Sequence, residues 1–167
     1  SVAQIGYIYM GLGLGTTAGV VASIYHILSH AATKSLLFVA ASGLTDVSNG
    51  KYKFKNLTGA AYRNKMAGVA FTVGALSMVG FPLLSGFISK VLFATAAVEN
   101  HYKMYITLIA LAISTILNTV YFLKTVIRIY TPISKEEETE KNYTHLTFKD
   151  APLKSVALVI FIIINLT

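Results

Sequence analysis

Three titratable side chains, His26, His30 and Lys34, recur at intervals of four inside the apolar run "IYHILSHAATKSLLFVAASGL", residues 24–44. On an α-helix each is turned about 40° from the one before and rises about 6 Å, so the three form a single polar stripe. Neighbours about 6 Å apart are too far for a direct hydrogen bond, and a proton moving along the stripe needs a water between the groups. Imidazole takes and releases a proton near neutrality, with an unperturbed pKa of about 6.5. The chemistry this pattern offers is a proton wire. The plainer alternatives are that these groups bond neighbouring helices as structural glue, or that Lys34 snorkels to the interface. Snorkelling reaches poorly, because Lys34 lies roughly 20 Å along a helix from the polar segment Ser48–Lys51. His26 and His30 also have the i, i+4 spacing of metal ligands, but no Glu lies between them as in H-E-x-x-H and no third acidic ligand is near. No metal is expected.

A second group lies in "GALSMVGFPLLSGFISKVLF", residues 74–93. Pro82 has no N–H to donate and crowds the preceding turn, while Gly80 and Gly86 weaken the helix on either side. The helix should break here. A broken helix at membrane depth is tolerated where it lines a wet cavity, and its freed backbone groups can hold ions or water. Lys90 follows the break, with Ser85 and Ser89 near it in sequence, so a titratable ammonium belongs to the second half-helix. A kink that serves only packing is the competing reading.

These groups need a membrane around them to be unusual, and the composition supplies it. Of 167 residues, 54% are hydrophobic and 13% charged, with a mean hydropathy of +0.63. A soluble domain carries roughly a quarter of its residues as charged ones. The absence of cysteine rules out disulfides, thiolate metal sites and cysteine nucleophiles. The formal charge of +7 comes from basic residues in the breaks between apolar runs, not interleaved with aromatics, so no nucleic acid partner is expected. No P-loop, dinucleotide fingerprint, haem attachment site or Ser-His-Asp constellation is present, so neither redox nor hydrolytic chemistry, nor any cofactor, is expected of this chain.

The apolar residues fall into five runs: 1–15, 18–47, 67–98 with its central interruption, 104–130 and 153–167. An all-α polytopic transmembrane bundle of about five helices follows, because a helix satisfies its own backbone in hydrocarbon and an open strand does not. The break after residue 47 holds Lys51, Lys53, Lys55, Arg63 and Lys65. The break near residue 100 holds only Lys103, and the last holds Lys135, Lys141, Lys149 and Lys154, preceded by Lys124 and Arg128. The positive-inside rule therefore puts loops 48–66 and 131–152 in the cytoplasm. The acidic cluster Glu136, Glu137, Glu138 and Glu140 reads as a solvated loop or a short capped helix starting at Ser134. Gly11, Gly13, Gly15 and Gly19 include a G-x-x-x-G pair, a signal of close helix packing. Asn118 and Tyr121 are expected to make interhelical hydrogen bonds, and Asp46 reads as a helix-end residue. Residues 1–20 have no signal-peptide pattern, and the sequence opens and closes in apolar runs. Residues 1–167 thus read as an internal fragment of one membrane domain, truncated at both ends.

Together, "SVAQIGYIYMGLG", "YHILSHAATKSLLFVAASGL" and "GALSMVGFPLLSGFISK" resemble the second half of the antiporter-like, proton-translocating membrane subunits of respiratory complex I, membrane-bound hydrogenases and Mrp-type cation/proton antiporters. The resemblance covers roughly residues 1–130 and implies transmembrane helices ten to fourteen of that family. It implies that His26, His30 and Lys34 are the central-axis residues of helix eleven and Lys90 the basic residue of broken helix twelve. The family often has two prolines before Leu-Ser-Gly-Phe, whereas the second position here is Leu83. The family's first inverted repeat, with its Glu–Lys pair, is not among these residues, so the resemblance implies half a pathway.

The expected function is proton translocation in a NADH:quinone oxidoreductase-like or hydrogenase-linked complex of a prokaryotic cell membrane. The expected partners are other membrane subunits, lipid and protons. One alternative is a subunit of an Mrp-type antiporter exchanging Na+ or K+ for protons. The other is a structural membrane-assembly subunit, whose polar residues only hold helices together.

Overall fold

The computed structural model describes residues 2–51, 53–133, 143–147 and 150–166. All regular structure among them is helical: α1 (Val2–Gly13), α2 (Thr17–Asp46), a 3-10 turn (Phe54–Leu57), α3 (Ala60–Arg63), α4 (Lys65–Val79), α5 (Ser85–Glu99), α6 (Met104–Tyr130) and α7 (Pro152–Leu166). The five apolar runs correspond to α1, α2, α4 with α5, α6 and α7. The helix count exceeds five because the third run is divided in two and the loop 48–66 winds into the 3-10 turn and α3. The expected helix at Ser134 and its acidic cluster lie outside the described residues.

Two helices, α2 and α6, are each long and apolar enough to cross a bilayer. At 1.5 Å per residue the 30 residues of α2 reach about 45 Å, beyond the roughly 30 Å hydrocarbon core. Its N-terminus is capped by Thr16, whose hydroxyl accepts from Gly19 N at 3.0 Å. The packing is inverted relative to a soluble protein. The buried positions of α2 are Gly19, Ala22, Ser23, His26, Ser29, Thr33, Leu36, Ala40, Gly43 and Leu44. On α6, by contrast, Ile106, Ile109, Ile113, Ile116, Leu117 and Val120 face outward. Small and hydroxylated residues inside with branched aliphatics outside is how helices associate when lipid removes the hydrophobic drive to bury them.

The architecture centres on α2, against which α1, α4, α5 and α7 all pack. Helix α1 folds back on it through a turn at Gly15, and the glycine pattern works across this hairpin. A Cβ on Gly11 would fall 2.3 Å from Ser23 Oγ, and one on Gly19 would fall 2.3 Å from Gly11 O. Helices α4 and α5 then run one after the other, antiparallel to α2. Ala67 lies against Gly43, Gly74 against Leu37, Ser77 beside Thr33, Ser85 beside Ser29 and Ser89 beside His26. They are two halves of one discontinuous span.

The connections gather at opposite ends. At one, Arg63 is buried and donates to Val47 O (3.2 Å), Thr58 O (3.2 Å) and Ser48 Oγ (3.2 Å), with its guanidinium 4.0 Å from the Tyr143 ring centroid. Leu146 N donates to Arg63 O at 3.0 Å, and Lys154 pairs with Asp46 at 2.6 Å, so residues 143–147 and the start of α7 share this end with Arg63 and Asp46. At the other end, Asn100 Nδ2 and Lys103 Nζ donate to Leu14 O (2.8 Å) and Gly13 O (2.5 Å). The alternation of basic-rich and basic-poor breaks therefore corresponds to two faces of the bundle, and Asp46 is the last residue of α2, as expected.

Candidate functional site

The site is built around the interruption between α4 and α5. Helix α4 ends before the proline: Phe81 N donates to Leu76 O at 2.9 Å and Gly80 N to Ser77 O at 3.0 Å, a Schellman closure with Gly80 at φ 89°. Pro82 follows this closure instead of causing it. Leu83 is a non-glycine residue at φ 75°. A proline is locked near φ −65°, so the second proline common in the resembled family cannot take this backbone; leucine can, at a cost of about 1–2 kcal/mol. Gly86 is required for another reason. Its Cβ would lie 1.8 Å from Ser77 O, so the start of α5 and the end of α4 touch backbone to backbone.

Lys90 reaches back across this break. Its ammonium donates to Val79 O, one of the carbonyls left unpaired at the end of α4, and to Thr115 Oγ1 of α6 at 2.9 Å. A cation is favoured at a helix C-terminus because the carbonyl dipoles point toward it. Gly80 makes the route possible, since a Cβ there would fall 2.7 Å from Lys90 Cδ.

Along α2, the His26 and His30 rings are nearly parallel, with centroids 5.9 Å apart. This is the separation expected of an i, i+4 pair, too long for direct proton transfer. His26 is buried between Tyr7 and Phe93, whose ring centroids each lie 5.4 Å from its own, and its Nδ1 is 2.6 Å from Ser89 Oγ. Its other ring nitrogen lies toward the backbone of Gln4, and the Nδ1 of His30 is buried and meets no partner among the described residues. Lys34 carries its ammonium 5.5 Å from the centroid of Phe38 and lines a cleft of about 280 Å³ between α2, α4 and α6, with Phe71, Met78, Tyr121 and Phe122 on its walls.

The structure thus brings His26, His30 and Lys34 onto one side of α2 and Lys90 into the break of the neighbouring span. Ser85 and Ser89, neighbours of Lys90 in sequence, turn toward Ser29 and His26 on α2, because residues one and five positions before Lys90 project from another face of α5. One sequence expectation needs correction, that Asn118 bonds a neighbouring helix. Asn118 leaves its buried Nδ2 without an interhelical partner among the described residues. Its neighbour in the cleft one turn on, Phe122, offers no acceptor to it.

Sequence reading missed a cluster of neutral polar groups. Asn165 of α7 is fully buried, with its Oδ1 at 2.6 Å from Thr33 Oγ1 and 3.3 Å from Ser85 Oγ. Ser77 Oγ lies 3.3 Å from Thr33 Oγ1 and 3.4 Å from Ser85 Oγ, and Ser29 Oγ donates to Ser85 Oγ at 3.0 Å. The available signal was a pair of hydroxyl ladders of period four, Ser29 with Thr33 and Ser85 with Ser89, each of which puts its groups on one face of its helix.

With this geometry in view, the comparisons with known proteins are specific. The model of the family described as "NADH:quinone oxidoreductase/Mrp antiporter, TM" matches residues 1–117. The NADH-quinone oxidoreductase subunit N of Desulforudis audaxviator is 33% identical over 130 residues, 78% of this chain and 25% of that protein. A Rhizobium meliloti protein described as belonging to a K(+)/H(+) antiporter is 35% identical over 101 residues, 60% of this chain and 10% of its own length. A Staphylococcus aureus protein described as antiporter subunit mnhD2 is 31% identical over 163 residues, 98% of this chain and 32% of that protein. The chain spans about a quarter to a third of the first and last of these relatives. Its match over most of its length, together with its all-helical bundle, makes it a member of the NADH:quinone oxidoreductase/Mrp antiporter transmembrane family.

Proposed function

We propose that this chain is part of a membrane subunit that translocates protons in a NADH:quinone oxidoreductase-like or hydrogenase-linked complex, through a relay of His26, His30, Lys34 and Lys90. The observation that carries the reading is Lys90: a titratable ammonium held at the broken end of one membrane span, beside a helix bearing three more titratable groups in one register. Gly80 leaves the path open for this ammonium, since a Cβ there would fall 2.7 Å from Lys90 Cδ. The chain contributes binding sites for the proton and no redox chemistry of its own. Residues 1–167 belong to one proton-conducting membrane domain, and its partners are further membrane subunits that supply the driving conformational change. Loops 48–66 and 131–152 face the cytoplasm of a prokaryotic cell, because that end carries the lysines and arginines.

A second reading, membership of an Mrp-type Na+(K+)/H+ antiporter, is favoured by the Staphylococcus aureus relative, which aligns with 98% of the chain. The test is ion flux in vesicles containing the complete complex. Proton uptake driven by an electron donor, with no requirement for Na+ or K+, supports the first reading. Proton movement only in exchange for Na+ or K+ replaces it with the second. Unaltered flux in Lys34→Met and Lys90→Met would leave only an assembly role.

A further inference from the structure

Lys34 and Lys90 lie on different helices, and one face of α6 runs between them. Thr115 accepts from the Lys90 ammonium at 2.9 Å, its own hydroxyl donating to Leu111 O at 2.8 Å. Phe122, with Tyr121 beside it, lines the cleft that holds Lys34. Residues 115, 118 and 122 are spaced i, i+3, i+7, so they share a face of α6 and cover about 10 Å of its length. The middle position of this face is Asn118, whose Nδ2 is buried without an acceptor among the described residues. A buried amide donor left unpaired costs about 1–3 kcal/mol, and a leucine of the same shape would not incur it. The cleft one turn further along, about 280 Å³, has room for several waters at about 30 Å³ each.

We propose that Asn118 is a positioning residue for water: it holds the water that passes a proton between Lys90 and Lys34. The inference rests on the relay reading above and adds a residue and a route to it. Asn118 Nδ2 donates to the water oxygen and so fixes the direction of its two hydrogens. One N–H of charged Lys90 gives its proton to the chain of water, and a water hydrogen passes to the lone pair of neutral Lys34. The water is unchanged, one lysine has lost a proton and the other gained it. Transfer in the opposite sense reverses each step.

The test uses the complete complex in vesicles, with proton flux and thermal stability measured together. Asn118→Leu keeps the shape and removes the amide; it is expected to slow flux by about tenfold, less than losing a proton carrier, while assembly and melting temperature are unchanged or raised. Asn118→Gln, which keeps an amide in reach of the same water, is expected to restore most of the rate. In Lys34→Met, adding Asn118→Leu is expected to cost nothing more, since both act on one step. Should Asn118→Leu fail to assemble, Asn118→Ala removes the amide without bulk and the same comparison with Asn118→Gln applies. Parental flux in Asn118→Leu, with Lys34→Met inactive, overturns this inference and leaves the relay intact. Loss of flux matched by loss of stability and not rescued by Asn118→Gln overturns it in favour of packing. Parental flux in Lys34→Met overturns both the relay and the role of Asn118 within it.

Discussion

Two polar regions meet at the break between α4 and α5, and they differ in how completely their hydrogen bonds are made. In one, Ser29, Thr33, Ser77, Ser85 and Asn165 interlock at 2.6–3.4 Å, deep in the bundle. In the other, the Nδ1 of His30 and the Nδ2 of Asn118 are buried without partners among the described residues, beside the cleft holding Lys34 and the break holding Lys90. A satisfied neutral network fixes helix positions and has nothing left to exchange. Unmet donors and acceptors next to titratable groups keep capacity to bind water, which is what the proposed relay requires. Residues of the same helix, such as Thr33 and Lys34, therefore fall on opposite sides of this division although they are adjacent in sequence.

The strongest way to break the comparison is to neutralise the second region. Lys34→Met keeps the stem and deletes the ammonium; proton flux per assembled complex should fall about a hundredfold, the low end of what a positioned proton-transfer group contributes. Lys34→Arg should fail nearly as badly, because a guanidinium is effectively always charged and cannot pass through a neutral state. Immunoblots of the purified complex establish assembly, and quenching of a pH-sensitive dye in vesicles gives the rate. An arginine variant pumping at the parental rate would remove deprotonation of this side chain from the mechanism.

At the break, the cause and the cargo can be separated. Lys90→Met should lose most of the flux, whereas Pro82→Ala should retain most of it. The Schellman closure at Gly80 and the left-handed backbone at Leu83 already stop α4, so removing the proline does not fuse the halves. Gly80→Ala should fall between them. It forces a side chain into a residue at φ 89° and displaces Lys90 from its path, at a cost of about 1–2 kcal/mol for the backbone alone. Equal fluxes in Lys90→Met and Pro82→Ala would mean that the break, not the lysine, matters.

How far the sequence reveals this arrangement depends on whether a feature is periodic or contingent. The spans were legible because lipid imposes length and apolarity on every one, and the charged breaks because topology places them. The stripe His26, His30 and Lys34 was legible because period four survives in any helix. The position of the break was legible only to within a turn. Proline marks it in sequence, yet the chain reverses its hydrogen bonding two residues earlier, where Gly80 can adopt a positive φ. The partners of Ser85, Ser89 and Asn118 were not legible, because a few tens of degrees of rotation about α5 or α6 decides which neighbour each meets. Asn165 was hidden most completely, since its role arises only when α7 packs beside α2 and α5 more than 70 residues away in sequence.

The smallest expected effect tests the satisfied region. Asn165→Leu removes the acceptor shared by Thr33 and Ser85 and also the donor to Phe161 O at 2.8 Å. The loss is cushioned. Thr33 Oγ1 already lies 2.8 Å from Ser29 O and can turn its single proton there, and Ser85 Oγ has Ser77 Oγ at 3.4 Å. Phe161 O keeps whatever its own helix supplies, because that side-chain bond is an addition to the backbone ladder. Interhelical hydrogen bonds in membranes contribute about 0.6 kcal/mol on average, and this site joins α7 to two helices, so a loss of about 1 kcal/mol is expected. The complex should melt slightly earlier, with α7 the first segment to gain amide exchange. Flux per assembled complex should stay at the parental rate, since no titratable group loses a partner. A fall in flux at unchanged stability would place Asn165 in the relay and erase the division between the two regions.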